Sequence, residues 1–314
     1  MIGGSEVGAV SMRAGLAQRL PDRLTRTPGP GALRAVAVAS LLANVGIVLT
    51  GGAVRLTGSG LGCPSWPRCT ADSYVVHGEL GLHGVIEFGN RMLTFAVAAV
   101  ALVTLLVVWR ARPGDRVALR LAVVLAVGVP AQAVLGGLTV LTDLNPWLVA
   151  FHLLLSLAMI AVSVGLLRQV GWGGSAGAWS PPSAVRWLVL ATYGATWVVL
   201  YLGTVVTGSG PHAGDVDSPR NGLDPALVSQ LHADAVLMLV GLTVGVLVAV
   251  HTAGAPTGAL RAAWWLLGVE LAQGVVGFVQ YFTGLPVALV ELHLLGACAT
   301  IVAATALVLS VPRR

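Results

Sequence analysis

The chain has 314 residues, of which 56% are hydrophobic and only 10% charged, with a net charge of +5 and a mean hydropathy of +0.86. A water-soluble domain carries about 25% charged residues, so this composition excludes an ordinary soluble enzyme and makes lipid the better solvent. Nor does the positive charge mark a nucleic-acid binder, because no basic stripe is interleaved with aromatics.

Residues 1–32 are rich in Arg, Gly and Pro and lack the apolar core of a signal peptide. They are expected to be a disordered cytoplasmic tail. Crossing about 30 Å of hydrocarbon at 1.5 Å per residue takes about 20 apolar residues. Eight runs reach that length: 34–54, 86–109, 118–140, 147–168, 185–207, 226–251, 260–282 and 288–310. The expected fold is therefore an all-α membrane protein with eight transmembrane helices. There is no lysine, and 14 of the 18 arginines fall in the tails and in the segments between runs 2 and 3, 4 and 5, and 6 and 7. The excess of cationic residues on that side places both termini in the cytoplasm. The opposite side has only Arg55, Arg68, Arg91 and Arg220.

On that reading the segment 55–83 is an external loop, and it holds Cys63 and Cys69 in "GCPSWPRC". An oxidising exterior favours a short disulfide there over two free thiols. Zinc fits poorly, since the spacing is wrong and no second pair exists. Cys298, in the middle of the last run, reads as a small packing residue.

The second run opens with "GVIEFGNRMLTF", which holds Glu87, Asn90 and Arg91. Charges at this depth are costly and ask for a partner or a task. A comparison of the two halves supplies the context. "VRLTGSG" after run 1 matches "VVTGSG" after run 5, with Thr57 and Thr207 150 residues apart. "AQAVLGGLTVLT" matches "LAQGVVGFVQYFT" at an offset of 141, pairing Gln132 with Gln273 and Gly136 with Gly277. The same offset pairs His152 with His293, and an offset of 142 pairs Asn90 with His232. The first external loop is thus about eight residues longer than its counterpart. Each half has four spans, so both copies share one orientation. The expected architecture is two parallel-repeat four-helix bundles, 33–168 and 185–310, joined by a cytoplasmic linker 169–184 and related by a pseudo-twofold axis along the membrane normal.

Asn90, His152, His232 and His293 all lie one to two turns inside the external end of an even-numbered run. A lone intramembrane histidine usually packs by hydrogen bonding, but two at matched depth in one bundle suit a haem held on both faces. His232 and His293 are the candidate ligands, with Asp234 and Glu291 as interfacial neighbours. The first half has His152 but an asparagine opposite, and asparagine is a poor iron ligand. Glu87 stands one turn from Asn90 on the same face, and its counterpart is Ser229. A carboxylate beside an open iron suggests a catalytic half, and the bis-histidine half an electron-transfer one. The alternative for Glu87 is an ion pair with Arg91. Arg55 and Arg91 are candidate partners for haem propionates.

In order along the chain, "GGAVRLTGSGLGCPSWPRC", "IEFGNR", "LGGLTVLTDLNPWLVAFH", "GTVVTGSGPHAGD", "QLHADA" and "GLPVALVELH" resemble the motifs of the heme A synthase family. The resemblance covers about residues 40–305. It implies a bacterial inner-membrane enzyme of heme A biosynthesis and cytochrome oxidase assembly, oxidising the C8 methyl of heme O to a formyl group. It also implies haem b on His232 and His293, substrate porphyrin near Glu87 and His152, and a Cys63–Cys69 disulfide. Heme O synthase and an electron donor are the implied partners, and an oligomer is compatible. Many members carry E-x-x-H-R where this chain reads Glu87-Phe88-Gly89-Asn90-Arg91. The first-half iron is then held by His152 alone, or by His83 bending in, or the half has lost activity; the first reading is favoured. The competing class is a non-catalytic b-type cytochrome taking electrons from a quinol, but such proteins stack two histidines about 13–14 residues apart on one helix, and none does so here. A transporter would share the parallel repeat, with Pro130 and Glu270 as the only hints of mid-bilayer interruption.

Overall fold

The structure is a computed structural model describing residues 27–171 and 179–312. The expected tail, as far as residue 26, and the middle of the linker lie outside the described residues, as do Arg313 and Arg314. Among the described residues there is no strand, and eight helices are long and apolar enough to cross a membrane. The chain is a multi-pass membrane protein.

The helices are α1 (Pro30–Leu56), α2 (Gly81–Ala111), α3 (Arg116–Leu141), α4 (Pro146–Gln169), α5 (Ser183–Ser209), α6 (Pro225–Thr252), α7 (Thr257–Phe282) and α8 (Val287–Ser310). Their starts are locally encoded. Asp115, Asn145 and Asp224 cap α3, α4 and α6 by accepting from backbone N–H groups of the first turn, and proline occupies the first turn of α1, α4 and α6. Hydropathy placed the boundaries a few residues short. Residues 30–32 of the expected tail belong to α1, and α2 begins at Gly81 after a 3-10 turn at Gly78–Leu80. Gln169 ends α4, and Ser183 and Ala184 already belong to α5. Gly, Pro, Ser, His and Gln supply most of these added end residues, so a search for apolar runs stops short of them. α3 continues unbroken through Pro130.

Each set of four helices closes on itself. α1 packs on α2 and α4, and α3 on α2 and α4; likewise α5 packs on α6 and α8, and α7 on α6 and α8. The two sets meet through α1, α4, α5 and α8. One core cluster (Leu33, Ala37, Val97, Ala101, Ala122, Leu125, Leu166) fills the first set, and another (Val189, Val246, Leu266, Ala304, Leu307) the second. Between them lie Val48, Leu157, Ile160, Leu200, Ile301 and the free, buried Cys298. Helix–helix association in lipid rests on close packing and on hydrogen bonds between polar side chains. Ser40 and Thr104 join α1 to α2 at 2.9 Å, and Thr243 donates to buried Glu270 at 2.8 Å, joining α6 to α7.

Two of the interhelical turns share one backbone form. Leu144 after α3 and Leu285 after α7, 141 residues apart, both have φ of 59°. Their N–H groups return to Thr139 and Gln280, again 141 apart, at 2.8 Å each. The two glycine-rich turns touch each other: Gly60 donates to the Gly214 carbonyl at 2.8 Å.

Candidate functional site

The matched positions gather at the end of the molecule that bears the Cys63–Cys69 loop. His232 lies in the second turn of α6 and His293 in the second turn of α8, and their rings face each other with centroids 6.4 Å apart and planes at 80°. Two imidazoles on opposite sides of one metal, each nitrogen about 2 Å away, set their ring centres about 6–6.5 Å apart. Both Nδ1 atoms are buried without a hydrogen-bond partner, which is rare for polar atoms in a packed interior. Glycine makes room for both rings. A Cβ at Gly203 would stand 3.3 Å from His232 Cε1, and one at Gly277 3.5 Å from His293 Cε1. Gln273 fixes the height of His293 by donating to its carbonyl at 2.8 Å. Among the described residues no three His, Cys, Asp or Glu side chains cluster to hold a metal ion. A bare ion needs three or four protein ligands, whereas a porphyrin iron needs two or one, so this donor set fits a haem.

The first set repeats half of this arrangement. His152 Nδ1 is also buried and unpartnered. Its ring lies against Gly136, whose Cβ would be 3.4 Å from Cε1. Gln132 donates to the His152 carbonyl at 3.2 Å and to Ser156 at 2.9 Å. At the position that the offset of 142 pairs with His232, Asn90 is tied to α1, its Oδ1 accepting from Thr50 at 2.7 Å. The two halves thus offer two imidazoles and one. His83 has an exposed ring whose Nδ1 meets Ser59 Oγ at 2.9 Å.

Glu87 is 5% exposed, and both its oxygens are engaged. One accepts the Cys63 backbone N–H and the other pairs with Arg91. Arg91 also donates to the carbonyls of Cys63 at 2.8 Å, Ser65 at 2.8 Å and Arg68 at 3.0 Å. The Glu87–Arg91 ion pair considered from sequence is therefore present, with a purpose that spacing does not reveal: it latches the loop closed by the Cys63–Cys69 disulfide onto α2. Arg55 commits Nε to the His212 carbonyl at 2.6 Å and one Nη to that of Thr207 at 3.0 Å, stitching the two glycine-rich turns together. Asp234 accepts from Gln230 on the surface at 2.7 Å. Glu291 fills the gap left by Gly52 where α8 meets α1.

Sequence reasoning missed Thr50, the glycine faces against the rings, and Trp66. The indole of Trp66, between the two cysteines, occupies the space beside Gly137. Only the pairing of Gly136 with Gly277 hinted at the glycine faces; nothing local pointed to Thr50 or Trp66.

Comparison with known proteins adds an independent line. Residues 34–214 match the model of the family COX15-CtaA, described as cytochrome oxidase assembly protein. The chain is similar to a protein named heme A synthase from Bacillus cereus strain G9842, with 25% identity over 264 residues, 79% of this chain and 83% of the relative. It is 26% identical over 267 residues to proteins of the same name from Bacillus cereus strain 03BB102 and Bacillus anthracis, with the same coverage.

Proposed function

Because the chain belongs to the cytochrome oxidase assembly family COX15-CtaA, the heme A synthase family, we propose that it oxidises the C8 methyl of heme O to a formyl group. The observation that carries this reading is the asymmetry between halves: His232 faces His293, while His152 has Asn90 bound to Thr50 in place of a second imidazole.

In this reading His232 and His293 hold haem b between α6 and α8, and haem b supplies one-electron transfer. Heme O, the substrate, sits in the first half with His152 as its single protein ligand, which leaves one face open for oxidation. Conversion of methyl to formyl removes four electrons, most simply as two hydroxylations followed by loss of water from a geminal diol. In each hydroxylation dioxygen gives one atom to the carbon, while two electrons and two protons from the donor reduce the other atom to water. Glu87 and Arg91 orient the disulfide loop over that half. The two sets of helices form bundles related by a pseudo-twofold axis along the membrane normal. The arginine distribution supports cytoplasmic termini, with the disulfide end facing outward from a bacterial plasma membrane. Supply of heme O by its synthase and of electrons by a donor completes the scheme. A purely electron-carrying cytochrome has no need of an inequivalent first half.

The test is chromatographic identification of haems extracted from the purified protein. His232→Ala and His293→Ala are expected to lose haem b. Glu87→Ala is expected to keep haem b and to yield no heme A. Normal heme A in Glu87→Ala, or full haem b in both histidine variants, would overturn the assignment.

A further inference from the structure

The loop between α1 and α2 contains far more fastening than a connection requires. Two cysteines close a six-residue span, Arg91 donates to three of its carbonyls, and Glu87 accepts the N–H of Cys63. Gly62 is pressed against the backbone of His83 and Gly84, so that no side chain would fit there. At the tip, Pro64, Pro67 and Arg68 are exposed, and Trp66 is the one large side chain turned inward. Its Cγ, Cδ2 and Cε2 lie over Gly137, where a Cβ would collide with the ring.

Gly137 follows Gly136, the residue that faces His152. The indole and the imidazole therefore dock on consecutive residues of α3, whose Cα atoms are about 3.8 Å apart and whose side-chain directions differ by about 100° around the helix axis. The second half resolves the same place differently. The offset of 141 carries Gly136 to Gly277, which faces His293, but carries Gly137 to Phe278, a ring that points outward and is 63% exposed. The first half has removed its own side chain at this position and receives a ring from the loop. Trp66 remains partly exposed, so some of its flat apolar surface stays available to a planar ligand.

We propose that Trp66 forms the outer wall of the first-half porphyrin site, a positioning residue that packs on the substrate macrocycle held at His152 and retards its escape through the disulfide end. The disulfide, Glu87 and Arg91 serve to hold this indole over Gly137. The proposal rests on the reading of the first half as the substrate site.

The experiment uses the full chain in detergent, loaded with haem, and follows transfer of haem from the first half to excess apomyoglobin. The spectrum of the second-half bis-histidine haem serves as an internal control. Trp66→Ala is expected to release first-half haem about tenfold faster than the native chain, and Trp66→Phe within about threefold of it, because a smaller ring keeps part of the stacking surface. Gly137→Ala, which displaces the indole without altering the loop, should match Trp66→Ala. Native release rates in both alanine variants would overturn the proposal. So would equal acceleration by Trp66→Phe and Trp66→Ala, since that reports a loosened loop and not a ring. A native chain that holds haem only in the second half would instead overturn the assignment of the substrate site, and the wall with it.

Discussion

Cutting the latch on the disulfide loop should make the disulfide far easier to reduce. Cys63 and Cys69 are 0% and 1% exposed, so a water-soluble reductant reaches the bond only when the loop opens. Glu87→Ala removes the acceptor of the Cys63 N–H and the counter-charge of Arg91. Breaking one side of a buried ion pair costs about 3–5 kcal/mol. The Arg91 side chain is 18% exposed and keeps its three carbonyls, so the lower end, about 3 kcal/mol, applies. If that cost falls on the closed loop, the open population rises about a hundredfold, at about 1.4 kcal/mol per factor of ten, and the rate of reduction rises with it. Glu87→Gln retains an acceptor for Cys63 and loses only the charge, so about tenfold is expected. The assay is a time course of reduction by a phosphine at fixed concentration. Samples are quenched, denatured and labelled with a polyethylene-glycol maleimide, and Cys298 gives a constant single-label background. Reduction of Glu87→Ala within twofold of the native rate would show that the carboxylate does not hold the loop.

Asn90→His should convert the first-half haem to a six-coordinate spectrum and slow the oxidation of heme O; faster turnover in that variant would refute the open-site reading. Gly203→Val should cost the protein its second-half haem, because branches beyond a Cβ already 3.3 Å from His232 Cε1 must enter the imidazole, whereas Gly277→Ala, at 3.5 Å from His293, should retain it; the pyridine haemochrome spectrum of each purified variant decides. Partial burial works to raise the pKa of Asp115, the cap of α3, but the N–H of Ala118, the amide of Gln169 and nearby Arg112 outweigh it and hold the carboxyl below its usual range. A depressed folded pKa stabilises above the unfolded value of about 3.9 and loses that stabilisation as pH falls through the folded value, so Asp115→Asn should unfold at a temperature less sensitive to pH below about 4 than the native chain, as scanning fluorimetry would show.

The spans, their number and the depth of the four matched positions were legible in the sequence because each is a local or periodic property. An apolar run of a given length has one home in a bilayer, and offsets of 141 and 142 carry one half onto the other without knowledge of packing. His232 and His293 could be paired by depth alone, and the structure brings their rings together edge to face, with centroids 6.4 Å apart. The cysteine pair, six residues apart, was close enough in the chain to be joined on paper. Tertiary structure decided the tasks of the side chains whose partners lie far off in sequence. Glu87 and Arg91 were read with Asn90 as parts of a site, yet their hydrogen bonds go to a loop more than 20 residues earlier. Arg55, read as a propionate partner, spends two donors on carbonyls more than 150 residues away. Thr50 reaches Asn90 across 40 residues, and Trp66 finds Gly137 across 71. Hydropathy and repeat offsets fix where a residue sits along the membrane normal. The direction it faces and the group that answers it follow from how helices and loops close around one another, and no periodicity in the chain encodes that.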